Sequence, residues 1–150
     1  MKQVYVLDPS ILIQAYIADS DTARVQTLLA GLENNEPDEF HIPDFCLLEC
    51  TNILWKRVRF HGMPVEQAKQ AVEDLRALPL LRRASADFLP RAFEIGLAHQ
   101  IAMYDSVYIA LAESLHVPLI TADAKQFTAA GATGVPLKSI ADFPAFSQRP

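Results

Sequence analysis

Short apolar runs and longer amphipathic stretches alternate along this chain. Val4-Tyr5-Val6-Leu7 is an apolar run rich in β-branched residues and closed by Asp8-Pro9, the signature of a buried strand. Asp followed by Pro is also an N-cap and first-turn pair, so a helix is predicted over about 9–18. Val25, Leu28, Leu29 and Leu32 recur at helical spacing within 22–32. After a polar, acidic stretch over 33–39, Phe40-His41-Ile42 forms a second short run, and Pro43-Asp44 opens a long helix to about His61. Gly62-Met63-Pro64 breaks it. Further helices are expected over 65–77, 88–99 and 103–116, with a short strand at 80–84 between the first two. Pro118-Leu119-Ile120-Thr121 reads as another strand, Ala122-Asp123 begins a short helix, and Val135-Pro136-Leu137 offers a last edge strand.

Strands alternating with amphipathic helices predict an α/β fold: a central, mostly parallel sheet of four to five strands with helices on both faces, an α/β/α sandwich. In such folds chemistry gathers outside the carboxyl ends of the strands, near a switch in strand order. The 150 residues suit one domain, 1–150, and no repeat or linker divides them. A chain that is 51% hydrophobic and 21% charged can fill a core and is not disordered. Two cysteines, Cys46 and Cys50, make no disulfide framework and read as stacked core thiols on one helix. The four histidines show no zinc-ligand spacing. The N-terminus does not resemble a signal peptide, and no run approaches the ~20 apolar residues that span a bilayer. The expectation is a soluble, cytoplasmic protein with no membrane partner.

Four acids stand in positions that need explaining. Asp8 ends the first strand and Asp123 follows the one ending at Thr121; each also fits a helix N-cap, as does Asp44. Around Glu49, Cys46, Leu47, Cys50, Ile53, Leu54, Trp55 and Val58 take most directions of the helix, leaving a narrow stripe of Glu49, Asn52, Lys56 and Arg59. That stripe fits a solvated face or the wall of a cleft. Asp105 sits in Ile-Ala-Met-Tyr-Asp-Ser-Val-Tyr-Ile-Ala-Leu-Ala, a helix apolar in nearly every direction. A carboxylate there must be paired, capping or metal-bound. Brought to one end of a parallel sheet, the four acids would repel by ~4 kcal/mol per pair at 4 Å and an effective dielectric of ~20. A divalent cation is the natural compensation, and oxygen-only ligands favour Mg²⁺ or Mn²⁺.

Val6-Leu7-Asp8-Pro9-Ser10, Glu49 with Asn52, Tyr104-Asp105-Ser106 running on to Ala112, and Leu119-Ile120-Thr121-Ala122-Asp123 followed four residues later by Phe127 together resemble the PIN-domain ribonucleases. The likeness is nearest to the VapC-type toxins of bacterial and archaeal toxin–antitoxin pairs and spans essentially the whole chain. Pro9 stands where that family often has a small or hydroxylated residue. The resemblance implies a PIN-like fold and a Mg²⁺- or Mn²⁺-dependent endoribonuclease leaving a 5′-phosphate and a 3′-hydroxyl. It implies that Asp8, Glu49, Asp105 and Asp123 are catalytic and bind one or two metals, with Ser10, Asn52 and Thr121 in support. It also implies a cognate antitoxin and a homodimer; helices bearing Trp55 and Phe60 offer a face for either.

Charge fits an RNA substrate only once these acids are set aside. Eighteen Asp and Glu against thirteen Lys and Arg give a net charge of −5, whereas proteins that hold nucleic acid by bulk charge are basic. Without the four acids the remaining charges nearly balance. Lys56 and Arg59, on the stripe with Glu49, are candidate contacts to the RNA backbone, or simply cations placed well against a helix C-terminus. Two rival readings remain: a PIN-like scaffold or binding domain with a structural metal, and phosphoryl transfer on an aspartate. The haloacid-dehalogenase pattern needs a second Asp two residues after the first, where this chain has Ser10.

Overall fold

A computed structural model describes residues 1–144, so the last six positions of the expected 1–150 domain lie outside the described residues. Four strands, β1 (Val4–Leu7), β2 (Glu39–Pro43), β3 (Leu81–Arg83) and β4 (Leu119–Ile120), form one sheet in the order β3-β2-β1-β4. Every pairing is parallel, with Val6 opposite His41 on one side and Leu119 on the other. The expected strand at 135–137 contributes a single parallel bridge, Leu119 to Leu137.

Among the described residues seven α-helices cover the sheet: α1 (Pro9–Leu12), α2 (Thr22–Ala30), α3 (Cys46–His61), α4 (Val65–Ala77), α5 (Leu89–His99), α6 (Met103–Leu115) and α7 (Ala124–Ala132). Right-handed crossovers put the helices between β1, β2 and β3 on one face and those between β3 and β4 on the other. Accordingly α1 packs on α3 and α3 on α4, while α5 and α7 pack on α6, which lies against β1 and β2. The core runs through both layers. Val6, Leu7, Phe40 and Ile42 of the sheet are fully buried, as are Ile109 and Leu111 of α6.

The first helix is shorter than 9–18. It tightens into a 3-10 turn at Ile13–Ala15, and the chain then reverses through side-chain bonds: Asp19 N–H donates to the Thr22 hydroxyl (2.9 Å), which donates to the Ile17 carbonyl (3.2 Å). Such local bonds compete with helix continuation. The long helix begins at Cys46, not at Asp44, and Asp44 does not cap it. Instead Asp44 N–H donates to the Arg83 carbonyl (2.8 Å) and its carboxylate accepts from Ser85 N–H (3.2 Å), fastening the end of β2 to the end of β3.

Around α3 the sequence reading is corrected more deeply. Only Cys46, Cys50 and Leu54 are buried, a single i, i+4, i+8 seam, while Leu48, Trp55 and Phe60 are exposed. The helix is therefore not mostly buried around a narrow polar stripe. It rests on the core along one edge and turns apolar residues outward, so their presence misled a reading based on periodicity. Trp55 and Phe60 meet edge to face with centroids 6.0 Å apart. By contrast α6 is buried continuously from Ser106 to Ala112.

Candidate active site

Strand order reverses between β1 and β4, because the chain steps outward from β1 through β2 to β3 and then returns to β1's other side. The carboxyl ends of β1 and β4 thus form the switch point at which ligands bind in open α/β sheets. Asp8 sits there, 2% exposed. Ser10 Oγ donates to its Oδ1 (2.5 Å), the Thr121 hydroxyl donates to its Oδ2, and Ile11 N–H completes the cap (3.3 Å). Ala122 N–H in turn donates to Ser10 Oγ (2.8 Å). Two strand ends, two hydroxyls and one carboxylate form a connected cluster.

Asp123 follows by one turn of loop. Its Oδ1 accepts from Gln126 N–H (3.0 Å), capping α7, and its own N–H donates to the Thr121 hydroxyl (3.0 Å). The cap reading of Asp8 and Asp123 is therefore correct and coexists with a place in the cleft. Glu49, in the first turn of α3, is half-buried and accepts from the Tyr108 hydroxyl (2.7 Å). Asp105 is also half-buried, in the first turn of α6. It caps nothing, and among the described residues its carboxylate has neither ion pair nor hydrogen-bond donor.

Electrostatics ties the four together. Burial pushes the Asp8 carboxyl up from 3.8 to about 6, against the pull of Ser10, Thr121 and Ile11, and the charge of Asp123 adds to the rise. Burial raises Asp105, and Asp123 raises it further. Burial also raises Glu49, with Tyr108 opposing and the charge of Asp105 assisting. No cation lowers any of these three. Carboxylates held above their ordinary range by burial and by one another are the arrangement a bound cation relieves.

Among the described residues, no three His, Cys, Asp or Glu side chains are drawn close enough to enclose a metal ion. Asp8 directs its oxygens at hydroxyls and Asp123 one of its own at a backbone amide, so the acids line an open cleft. The donor set, all oxygen and lacking a basic partner, suits a hard divalent cation. Ser10 and Thr121 both hydrogen-bond Asp8. Asn52, Lys56 and Arg59 are exposed and reach none of the acids; Arg59 lies over the Phe60 ring instead, 5.5 Å from its centroid.

Sequence reasoning missed two residues. Buried Tyr108 holds Glu49, and buried Gln126 donates its amide to the Asp105 carbonyl (3.1 Å) while its backbone caps onto Asp123. The signal for each was a polar side chain on a face that should be apolar: Tyr108 one turn after Asp105, and Gln126 three residues after Asp123.

A four-stranded parallel sheet in an α/β/α sandwich, with acids from four segments at its switch point, defines the class of protein. A family model for the PIN domain matches residues 5–132, and the chain belongs to the PIN-domain family. Among curated relatives, ribonuclease VapC1 of Mycobacterium tuberculosis is 32% identical over 129 residues, covering 84% of this chain and 90% of its own. Ribonuclease VapC3 of Pyrobaculum aerophilum is 28% identical over 122 residues, with coverage of 79% and 88%. The fold is shared with the crystal structure of PAE2754 from Pyrobaculum aerophilum (TM-score 0.69, 19% identity, 93% of this chain and 85% of that one). It is shared too with VapBC2 from Rickettsia felis bound to a promoter DNA fragment (TM-score 0.67, 17% identity, coverage 91% and 98%).

Proposed function

We propose that this protein is a metal-dependent endoribonuclease and the toxin of a toxin–antitoxin pair. The observation that carries the reading is the set of four carboxylates at the β1/β4 switch point, three of them raised above their ordinary range. Curated relatives named as ribonucleases VapC support RNA as the substrate. Asp8, Glu49, Asp105 and Asp123 would hold one or two Mg²⁺ or Mn²⁺ ions. A divalent cation, when bound, activates water and neutralises charge on the phosphate.

The chain's own residues set the stage for that chemistry. Ser10 and Thr121 fix the rotamer of Asp8 by occupying one lone pair on each oxygen. Tyr108 aims Glu49 across the cleft from α3. Gln126 ties the first turn of α7 to the first turn of α6, which keeps Asp123 and Asp105 in register. Lys56 lies seven residues beyond Glu49, about 10 Å along the helix at 1.5 Å per residue and on nearly the same side. That places it, with Arg59 a turn further on, to take the RNA backbone where it leaves the cleft.

The test is cleavage of RNA with Mn²⁺ or Mg²⁺ and with EDTA. We expect turnover only with the cation, and a loss of at least ~100-fold in Asp8→Asn and in Asp105→Asn. Equal cleavage by either variant, or cleavage in EDTA, refutes the assignment.

Assembly belongs to the same reading. VapBC-1 of nontypeable Haemophilus influenzae and FitAcB of Neisseria gonorrhoeae share this fold, and the paired names of such neighbours support a small antitoxin partner here. For the homodimer the favoured face is α5. Leu89, Phe93 and Leu97 are 47%, 57% and 67% exposed, and they make a stripe reading the same in both directions. A two-fold axis through Phe93 would set Leu89 against Leu97 twice, the self-complementarity an isologous interface requires.

A further inference from the structure

Beside the acid cleft lies a hollow of about 480 Å³, within the range of about 300–1,000 Å³ usual for small-ligand sites. The turn between α5 and α6 supplies one wall with His99, Gln100 and Ile101; Lys125 and Thr128 of α7 supply the other, above Ala124 and Ala129. The hollow adjoins the acids through α7, which Asp123 caps, and through the turn that leads into α6, which carries Asp105. Ala124 directly follows Asp123, and Gln126, in the same turn of α7, is bonded to the Asp105 carbonyl and caps onto Asp123.

Its chemistry is the converse of the cleft's. No Asp or Glu lines it, and Lys125 forms no ion pair among the described residues. An imidazole and an aliphatic side chain stand together with a terminal amide and a hydroxyl. RNA is read from unstacked bases, held on aromatic or apolar faces and hydrogen-bonded along their edges, with a cation on the phosphate. Gln100 also adopts a left-handed backbone (φ 56°), where glycine is the usual occupant; the amide is carried at a conformational cost.

We propose that this hollow seats the RNA nucleotide next to the scissile phosphate. His99 and Ile101 hold the base, Gln100 and Thr128 meet its edge, and Lys125 takes the adjoining phosphate. The proposal rests on the nuclease reading and deepens it: a polyanion beside four carboxylates needs a cation within a nucleotide's reach, and Lys125, two residues from Asp123, is that cation.

The test measures binding apart from cleavage, by fluorescence anisotropy of a labelled, phosphorothioate-protected RNA octamer with Mg²⁺. Lys125→Ala should raise Kd about tenfold at low salt and flatten the dependence of log Kd on log salt by about 0.7. Thr128→Trp, which fills the hollow without changing charge, should raise Kd at least about fivefold. Lys69→Ala, a control on exposed α4, should stay within about twofold. Equal weakening by Lys125→Ala and Lys69→Ala, unchanged affinity in Thr128→Trp, or no binding by the parent protein each overturns the proposal. If Thr128→Trp does not fold, Lys125→Ala against Lys69→Ala decides alone. Assays on unprotected RNA separate the two readings. Binding through the hollow without cleavage removes the nuclease and keeps the subsite. Cleavage with both variants unaltered in affinity removes the subsite and keeps the nuclease.

Discussion

Asp8 carries two roles that pull in opposite directions. In the cation-free protein its burial costs stability whenever it is ionised. A folded-state value of about 6 against 3.8 means the native state holds this proton more tightly than the unfolded chain. Stability is therefore favoured below about pH 4 and declines as pH rises through about 6. The full difference is up to about 3 kcal/mol at 1.36 kcal/mol per unit. Asp8→Asn, neutral at every pH and able to accept from Ser10 through its oxygen while its amide nitrogen donates to the Thr121 hydroxyl, should abolish cleavage yet raise stability in EDTA at pH 8. At pH 3, below both values, the gain should nearly vanish. Urea denaturation at both pH values checks this, and a variant less stable than wild type at pH 8 contradicts it. Tyr108→Phe probes the opposite kind of contact. Losing the 2.7 Å bond to Glu49 should lower cleavage about tenfold and raise the Mn²⁺ needed for half-maximal rate, with a stability loss of about 1 kcal/mol. Unchanged Mn²⁺ dependence would show that Tyr108 does not position Glu49.

At the level of elements, α5 and α6 meet through Gly96. A Cβ there would stand 3.2 Å from both the Ile101 carbonyl and Ser106 Oγ, one backbone and the other fully buried, so neither yields readily. Gly96→Val should cost about 1–3 kcal/mol by overpacking, read as a lowered Tm. It should also disturb RNA binding, because the same turn walls the hollow. Most elements were legible because their periodicity and punctuation agreed: Asp8-Pro9 marks the end of β1, and Gly62-Met63-Pro64 separates α3 from α4. The strand after α4 was legible from Leu80 and Leu81 despite its basic residues. Failures came where tertiary context outweighs pattern. Asp44 looks like a helix cap but spends its bonds on the neighbouring strand. Apolar residues on α3 and α5 look like core but face outward, and a single chain cannot say which apolar residues are buried by its own fold. Four acids were visible as anomalies, whereas Tyr108 was hidden in the continuously buried stretch of α6 and Gln126, flanked by exposed Lys125 and Phe127, read as a surface amide.

At the level of the whole molecule, the net charge of −5 is concentrated rather than diffuse, since four of eighteen acids share one end of one sheet. Among the described residues no helix is long and apolar enough to cross a membrane; the exposed apolar stripe of α5 is the face proposed above for a second copy of the chain. Phe93→Glu would bring like charges together across the two-fold axis. We expect it to convert a dimer into a monomer by light scattering at micromolar concentration while leaving the circular dichroism unchanged. A parent protein that is already monomeric removes the α5 interface.

One consequence lies in time rather than in space. The strand that completes the switch point, β4, is the last of the four to be synthesised, and it takes its place beside the first. A nascent chain halted before Thr121 has Asp8, Glu49 and Asp105 but lacks the hydroxyl on Asp8 Oδ2, the cap of α7 and Asp123. On the proposed nuclease reading such a chain lacks its complete site, because the switch point closes only by a pairing between distant ends of the sequence. Slow, non-local closure of that kind works as a delay. It gives the proposed toxin an interval, during every round of translation, in which its proposed partner can reach the chain before the acids are assembled.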